Sequence, residues 1–304
     1  MNNYHKDILY GFFIIIVVLF ILRRVSNKII QNYIDNDKYQ FLKISTNKPI
    51  KNNLNPIVEM KKYNVIFGAT VRNVEEHIKT NLQHIDNCGN KFNSYKLIIY
   101  ENDSSDNTRK ILNKYKKPNY TYIFESKIKE LRRTVRISNG RNKILQKIRE
   151  LNKDNSYDYF IMLDLDDVNS SGKFVDTINT CFQYDNWDVL TGNQTEQYYD
   201  LWALRKKDDM DYDCWRLVSQ NPNMPNAAHI FVFHKFKKYD PGELLEVDSA
   251  FSGIAIYKLS SVPYHCNYVG NYDDGGELCE HVEFNRCIKK SGKGIYINTS
   301  FLTN

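Results

Sequence analysis

Residues 159–167 read YFIMLDLDD, five apolar or aromatic residues followed by three carboxylates within four positions. An apolar run of this length predicts a strand that is buried on both faces of a β-sheet. Asp164 and Asp166 share a face if the strand geometry continues, and two carboxylates this close repel each other unless a cation lies between them. The pattern predicts either a Mg²⁺ or Mn²⁺ site that holds a phosphate, or solvated acids that cap the next helix.

Apolar runs that predict strands alternate with helical patterns around this stretch. The predicted strands cover residues 63–73, 96–100, 120–124, 159–163 and 187–192, and the predicted helices cover residues 74–86, 108–115, 128–150 and 173–182. This alternation is typical of an α/β fold. We therefore expect a Rossmann-like domain with a mostly parallel central sheet and helices on both faces.

Polar side chains follow the ends of three predicted strands. They are Thr70, Arg72 and Asn73 in the polar turn that ends the first strand, Glu101 and Asp103 after the second, and Asp164, Asp166 and Asp167 after the apolar run. Ligands bind at the carboxyl ends of strands in open parallel sheets, so these side chains are expected to form one active site. Residues 68–73 lack the glycine spacing of a dinucleotide fingerprint or a P-loop, and no G-x-S-x-G motif follows a strand, which argues against dehydrogenases, P-loop NTPases and α/β-hydrolases.

The second half of the chain is less regular than the first. Its predicted elements are a strand at 198–204, long loops at 205–246, a strand at 247–257, a helix at 277–288 and a final strand at 294–298. No internal repeat and no low-complexity domain interrupts this pattern.

The composition is that of an ordinary globular protein with a formal net charge of +6. Such a charge suits an anionic ligand or a membrane surface and specifies neither. The six cysteines include no C-x-x-C pair, which argues against a zinc ribbon or a thioredoxin-type site. Their even number permits disulfides in an oxidising compartment, although a chain of 304 residues does not need them.

Residues 8–22 read ILYGFFIIIVVLFIL and contain no charge. They follow a short tail at residues 1–7, and no small-residue cleavage site comes after them, so we expect an uncleaved transmembrane anchor, although the run is shorter than the ~20 residues that usually cross a bilayer. Residues 23–61 are polar and predict a stem or linker. More cationic residues follow the anchor than precede it, so the positive-inside rule predicts a cytoplasmic domain.

Five motifs in the remaining chain resemble those of GT-A glycosyltransferases, of the broad class that includes family 2 and CAP59-like enzymes. They are TVRN at 70–73, ENDSSDNT at 101–108, GRN at 140–142, DLDD at 164–167 and CEHVEF at 279–284. The resemblance implies a catalytic domain over residues 62–304 and a type II membrane protein whose catalytic domain lies in the Golgi or ER lumen. The charges that flank the anchor favour the opposite orientation, so a domain that faces the cytoplasm stays open.

The resemblance also implies how a nucleotide-sugar donor would be bound. Asp164 would lie toward the donor ribose and the metal, and Asp166 would be the direct ligand of Mn²⁺ or Mg²⁺. Glu101 and Asp103 would hydrogen-bond the nucleoside, and Thr70, Arg72 and Asn73 would complete the donor site. Arg141 would reach the diphosphate, or it is a solvated helix charge. The nearby Arg132, Arg133 and Arg136 are expected to form a solvated face.

Inverting members of this class need a general base, which usually belongs to a Glu-Asp pair at the start of a late helix. Here the pair reads Glu280-His281, a departure from that pattern. We expect Glu280 to be the base, with Glu283 and His281 as competitors. His281 is alternatively a third metal ligand. The resemblance places acceptor contacts at Asp248, Ser252 and Gly253.

These features predict a membrane-anchored, metal-dependent hexosyltransferase that moves a sugar from a UDP- or GDP-sugar to a glycan or protein acceptor. Two alternatives are a sugar-phosphate nucleotidyltransferase and a non-catalytic glycan-binding protein that has kept the fold. The first would need a Gly-rich loop after the first strand, and the intact acid triplet argues against the second. No nucleic-acid partner is expected.

Overall fold

A computed structural model describes residues 59–207 and 210–304. The predicted tail, the anchor at residues 8–22 and all but the last residues of the predicted stem lie outside these ranges. Inside them, no helix has both the length and the apolar character that crossing a bilayer would require.

The described chain forms one sheet of eight strands. The strands are β1 Asn64–Val71, β2 Ser94–Asn102, β3 Tyr120–Glu125, β4 Tyr159–Leu163, β5 Val189–Asn193, β6 Leu244–Glu246, β7 Ile254–Lys258 and β8 Ile295–Leu302. Their order across the sheet is β3-β2-β1-β4-β7-β5-β8-β6. Only β7 and β6 run against the other six strands. The prediction of a mostly parallel sheet is confirmed.

Helices cover both faces of this sheet. They are α1 Ile78–Gly89, α2 Thr108–Lys114, α3 Arg133–Leu151, α4 Lys173–Thr177, α5 Cys214–Gln220, α6 Ala227–Phe231 and α7 Glu280–Lys290. On one face, Leu82 of α1 belongs to the same buried cluster as Phe67 of β1. On the other face, α3 packs so closely that a Cβ at Gly68 would lie 2.7 Å from Ile144 Cγ2. The alternation of side chains along β1 thus supports two helical layers.

The first half of the chain folds as its hydrophobic pattern predicts. Strands β1 to β5 and helices α1 to α4 lie within a few residues of their predicted positions, and a 3₁₀ helix at Ile178–Phe182 completes the last predicted helix. Each long apolar run must pair with neighbouring strands and bury both of its faces, so the hydrophobic pattern determines where it lies in the sheet.

Three predictions for the second half are wrong. Residues 198–204 form no strand; Tyr198 makes only an isolated bridge to Lys237. Residues 205–246 are not long loops throughout, because α5, α6 and β6 lie among them. The strand predicted from residue 247 begins only at Ile254, because Ser252 and Gly253 have φ values of 57° and 82°, which interrupt an extended backbone.

A disulfide fixes the segment that precedes α7. Cys266 in this segment is bonded to Cys287 on α7, and the other four cysteines are free and buried. The bond therefore holds the approach to α7 against the helix that carries Glu280 and His281.

Candidate active site

A cavity of about 1070 Å³ opens where β1 and β4 end. Its wall includes residues that follow both strands, together with residues of α3 and the first turn of α7. The predicted site residues that line it are Thr70, Arg72, Asn73, Arg141, Asp164, Asp166, Asp167, Glu280 and His281. Four motifs that are far apart in the sequence therefore meet in one place.

Arg141 connects the carboxylates of two of these motifs. Its Nη2 donates to Asp164 Oδ1 at 2.8 Å, and its Nη1 lies 2.8 Å from Glu280 Oε1. The side chain is almost fully buried, with its guanidinium carbon 4.8 Å from the centre of the Phe251 ring. A buried guanidinium requires such partners, because an unpaired charge in this position would be costly. The alternative of a solvated helix charge is therefore wrong for Arg141.

The carboxyl group of Asp164 lies in a crowded acidic environment. Burial raises its pKa to about 7, the Arg141 guanidinium opposes this shift, and the charges of Asp166 and Glu280 add to it. Its backbone N–H donates to Gly253 O at 2.9 Å, which fixes the residue just after β4. Because one guanidinium neutralises this group only in part, a further cation beside Asp164 would be stabilised.

Asp166 has the capping role that its sequence pattern allowed and also lines the cavity. Its Oδ1 accepts a 3.3 Å hydrogen bond from the N–H of Val168 and so caps a 3₁₀ helix at Asp167–Asn169. Its carbonyl oxygen accepts a 2.8 Å bond from Asn81 Nδ2, which holds the backbone in place. The residue is exposed and lines the cavity, so capping leaves part of the carboxylate free to bind a cation.

His281 is buried in the cavity wall without a hydrogen-bond partner on either ring nitrogen among the described residues. Its ring stacks on Phe251 with centres 3.6 Å apart and meets the edge of Tyr268 at 5.6 Å. Burial, and then the charge of Arg141, hold the pKa of His281 well below its ordinary value. The imidazole is therefore neutral at pH 7, in the form that accepts a hydrogen bond or binds a metal ion.

The carboxylates and the imidazole in the cavity suit a divalent cation that a bound ligand also coordinates. Within residues 59–207 and 210–304, the only group of three or more Asp, Glu, His or Cys residues whose ligand atoms all lie within 4.8 Å of one another is His265, Cys266 and Cys287, and those cysteines form the disulfide. Asp164, Asp166 and His281 thus do not enclose an ion by themselves. Mg²⁺ is usually held by one or two carboxylates plus water and substrate phosphates, and the two aspartates meet that requirement.

Glu101 and Asp103, predicted to bind the nucleoside, do not line the cavity. Glu101 is fully buried, accepts from Ser104 N at 2.9 Å and pairs with Arg109. Asp103 turns away and accepts from the N–H groups of Lys127 at 2.6 Å and Ile128 at 3.0 Å. Asn102, the last residue of β2, lines the cavity in their place.

The predicted acceptor residues and Glu283 also lie outside the cavity wall. The N–H of Asp248 donates to Arg205 O at 2.7 Å, and that of Ser252 donates to Asp200 Oδ2 at 2.9 Å. Gly253 contributes its carbonyl oxygen to the Asp164 backbone. Glu283 lies 3.6 Å from Arg286 on the outer surface of α7. Ser252 and Gly253 therefore support the site from behind.

Three further charged residues line the cavity, although sequence reasoning did not assign them to it. Arg133 and Arg136 were expected to form a solvated face; Arg133 is exposed, both residues line the wall, and Arg136 lies 3.8 Å from Asp103. Asp200 lies in the irregular segment after β5, and burial raises the pKa of its carboxyl group. The two arginines lie in the first turn of α3, after the connection from β3, and this β-to-α position could have predicted that they lie at the site. No feature of the sequence pointed to Asp200.

The sheet order, the position of the cavity and the acidic residues after β4 define the class of protein. The family model described as "Glycosyl transferase family 2" matches residues 69–233, more than half of the chain. The chain belongs to this family, and its fold is GT-A. No curated protein matches the sequence.

The solved structures that match this chain include three of low sequence identity. The mannosyltransferase PcManGT from Pyrobaculum calidifontis, in complex with GDP-Man and Mn²⁺, is 10% identical with a TM-score of 0.43, over 81% of this chain and 58% of that one. S. aureus TarS 1-349 is 12% identical with a TM-score of 0.39, over 77% and 57%. Glucosyl-3-phosphoglycerate synthase from Mycobacterium tuberculosis, with Mn²⁺, UDP and phosphoglyceric acid, is 10% identical with a TM-score of 0.37, over 77% and 67%. The chain thus spans less than two thirds of the first two structures.

Proposed function

We propose that this protein is a metal-dependent hexosyltransferase that moves a sugar from a UDP- or GDP-sugar to a hydroxyl group of a glycan or protein. One observation carries the proposal: Asp164 and Asp166 share a cavity with Arg72, Arg133 and Arg136. Carboxylates that bind a divalent cation and guanidinium groups that bind phosphate are the two requirements for holding a nucleoside diphosphate.

The D-x-D carboxylates are the proposed metal ligands. Asp166 would bind Mn²⁺ or Mg²⁺ directly, Asp164 would bind it and the donor ribose, and the unpartnered imidazole of His281 is available as a further ligand. When bound, the ion would act as a Lewis acid that neutralises the diphosphate. Arg133 is exposed and close enough to Asp166 to influence its charge, so it suits a phosphate oxygen.

Glu280 is the proposed general base. It lines the cavity at the start of α7, and the 2.8 Å contact with Arg141 holds its carboxylate in place. In the proposed reaction this carboxylate takes the proton of the acceptor hydroxyl, and the hydroxyl oxygen bonds to the anomeric carbon of the donor. The bond from that carbon to the diphosphate oxygen breaks, and its electron pair leaves on the diphosphate. Asp200, with its raised pKa, is the competing base.

Arg141 is proposed as a positioning residue for both halves of the reaction. Its two nitrogens hold Asp164 and Glu280 on opposite sides of one guanidinium. Arginine suits this role better than lysine because its planar fork addresses two carboxylates at once. Because both of these nitrogens contact carboxylates, Arg141 is not available as the main ligand of the diphosphate.

We further propose a CAP59-like, type II membrane protein with its catalytic domain in the Golgi or ER lumen. The uncharged run at residues 8–22 supports an anchor. The bond between Cys266 and Cys287 supports a lumenal domain, because disulfides persist in oxidising compartments and are rare in the cytosol. The cysteines would be reduced with a membrane-permeant thiol. Their protection from a membrane-impermeant thiol reagent in sealed microsomes, together with their labelling once detergent opens the microsomes, tests this orientation.

Calorimetric titration of the full-length protein with UDP and GDP tests the donor site. We expect one nucleotide to bind in Mn²⁺ and to lose at least tenfold in affinity in EDTA. Asp166→Asn is the informative variant, and Asp176→Asn on α4 is the matched control because Asp176 lies outside the cavity wall. Equal affinity of wild-type protein and Asp166→Asn, or no binding of either nucleotide, contradicts the proposal.

A further inference from the structure

A second, smaller cavity adjoins the proposed active site. Its volume is about 380 Å³, and Trp202 and Trp215 line both cavities. The other residues of its wall include Arg216, Gln220, Tyr272 and Asp274, none of which lines the larger cavity. The two cavities are therefore neighbours that share the tryptophan side chains as a common boundary.

Asp213 holds the aromatic walls of this second cavity. Its Oδ2 accepts from Trp202 Nε1 and from the Tyr272 hydroxyl, both at 3.0 Å, and lies 3.3 Å from Arg205 Nη2. Its Oδ1 accepts from Arg216 N at 2.9 Å and so caps α5, the helix that carries Trp215. Because the polar edges of Trp202 and Tyr272 are bonded to one buried carboxylate, the surfaces that remain for the cavity are mostly ring carbons.

Polar groups surround these rings. The guanidinium of Arg216 lies 3.9 Å from the centre of the Tyr272 ring, and its Nη2 donates to Asp274 Oδ2 at 2.6 Å. Gln220 and Glu277 add an amide and a second carboxylate. The wall thus combines aromatic faces with both donors and acceptors, as sites for neutral polar ligands do. Two carboxylates against one guanidinium make it unsuitable for a second diphosphate.

We propose that the second cavity is the acceptor subsite and that it takes a neutral oligosaccharide. The apolar C–H face of a sugar ring matches the exposed ring of Trp215, and its hydroxyl groups match Arg216, Asp274 and Gln220. Continuity through Trp202 and Trp215 would direct the chain end toward Glu280, the proposed base. This inference rests on the proposed function, because an acceptor subsite has meaning only for a transferase.

The test measures saccharide and nucleotide binding on the same full-length protein. Saturation-transfer NMR would measure the binding of neutral di- to tetrasaccharides of glucose, mannose and galactose. Calorimetry would measure the binding of UDP or GDP in the presence of Mn²⁺. The variants are Trp215→Ala and Arg216→Ala, the second chosen because Arg216 lies outside the larger cavity. We expect at least one saccharide to bind the wild-type protein, each variant to weaken it at least tenfold, and Arg216→Ala to change nucleotide affinity less than twofold.

Each other outcome has a defined meaning. Nucleotide binding without saccharide binding, saccharide binding that Arg216→Ala does not weaken, or displacement of the saccharide by the nucleotide overturns the acceptor subsite and leaves the proposed function standing. Preferential binding of serine- or threonine-containing peptides to the same residues also overturns it, because the occupant would then be a protein. If the wild-type protein binds neither UDP nor GDP in Mn²⁺, the proposed function itself is contradicted.

Discussion

The two sides of the larger cavity are built differently. On one side, residues after β1 and β4 and along α3 supply Arg72, Asp166 and Arg136 from regular β-to-α units. On the other side, Tyr199, Trp202 and Phe251 come from segments outside the named strands and helices. The first side is positioned by ladders of backbone hydrogen bonds, and the second by side-chain packing and the disulfide behind α7. We infer that the first binds the donor and the second the acceptor.

The largest expected effect is that of Asp166→Ala on the donor side. Loss of the proposed metal ligand should lower transfer on the order of 10³-fold, as removal of one group that stabilises developing negative charge does in other enzymes. The fold should survive, because the residue is exposed and its cap contributes about 1 kcal/mol. Steady-state transfer rates and a thermal unfolding curve measure the two effects. Turnover within threefold of wild type would show that transfer does not need Asp166 as a metal ligand.

Glu280→Gln should have the next largest effect, and it acts where the two sides meet. An amide of the same shape cannot take a proton, so turnover should fall by roughly 10²- to 10³-fold while nucleotide affinity stays within about twofold. Asp200→Asn is the matched comparison, because Asp200 is the other carboxyl group that lines the cavity beside the acceptor side. A larger loss in Asp200→Asn than in Glu280→Gln would reassign the base.

Removal of the disulfide should loosen the acceptor side while sparing the donor side. The bond closes a loop with a sequence separation of 21, so Cys266→Ser with Cys287→Ser should lower the free energy of unfolding by about 3 kcal/mol. Denaturant unfolding measures the loss, and the Michaelis constants for acceptor and donor measure where it acts. We expect the constant for the acceptor to rise more than that for the donor; the reverse would contradict the division into two sides.

The smallest predicted effect is a pH dependence of metal-dependent donor binding. Because burial raises the pKa of Asp164 to about 7, the group binds a proton below that pH and must release it before it can bind a cation. Apparent Mn²⁺ affinity should therefore fall about tenfold per pH unit below pH 7 and level off above it. Titrations at pH 6, 7 and 8 test this, with Asp164→Asn as the variant in which this dependence disappears.

The same division explains what the sequence could predict. Apolar runs located β1 to β5, and the carboxylates after β4 do lie in the cavity. Glu101 does not, because β2 extends two residues beyond its predicted end, to Asn102, and successive side chains of a strand point to opposite faces. Asp103 does not line the cavity, because a backbone turn with a φ of 49° at this residue directs its side chain elsewhere.

No periodic pattern could have located the acceptor side. Asp200 and Trp202 are placed by individual side-chain contacts, such as the bond from Ser252 N to Asp200 and that from Trp202 Nε1 to Asp213. Contacts of this kind depend on side chains that meet only after the sheet has formed. The prediction of a strand over residues 198–204 failed for that reason, since aromatic residues there pack against neighbours without joining a ladder.

Hydrolysis of nucleotide sugars tests most directly whether the side of the cavity built from β1, β4 and α3 is a metal-dependent donor site. The full-length protein would be incubated with a panel of UDP- and GDP-hexoses in Mn²⁺ and then in EDTA, with Asp166→Ala as the control. We expect slow hydrolysis of one donor that requires Mn²⁺ and is absent in the variant. Hydrolysis that persists in EDTA or in Asp166→Ala, or a folded protein that neither hydrolyses nor binds any donor, would contradict it.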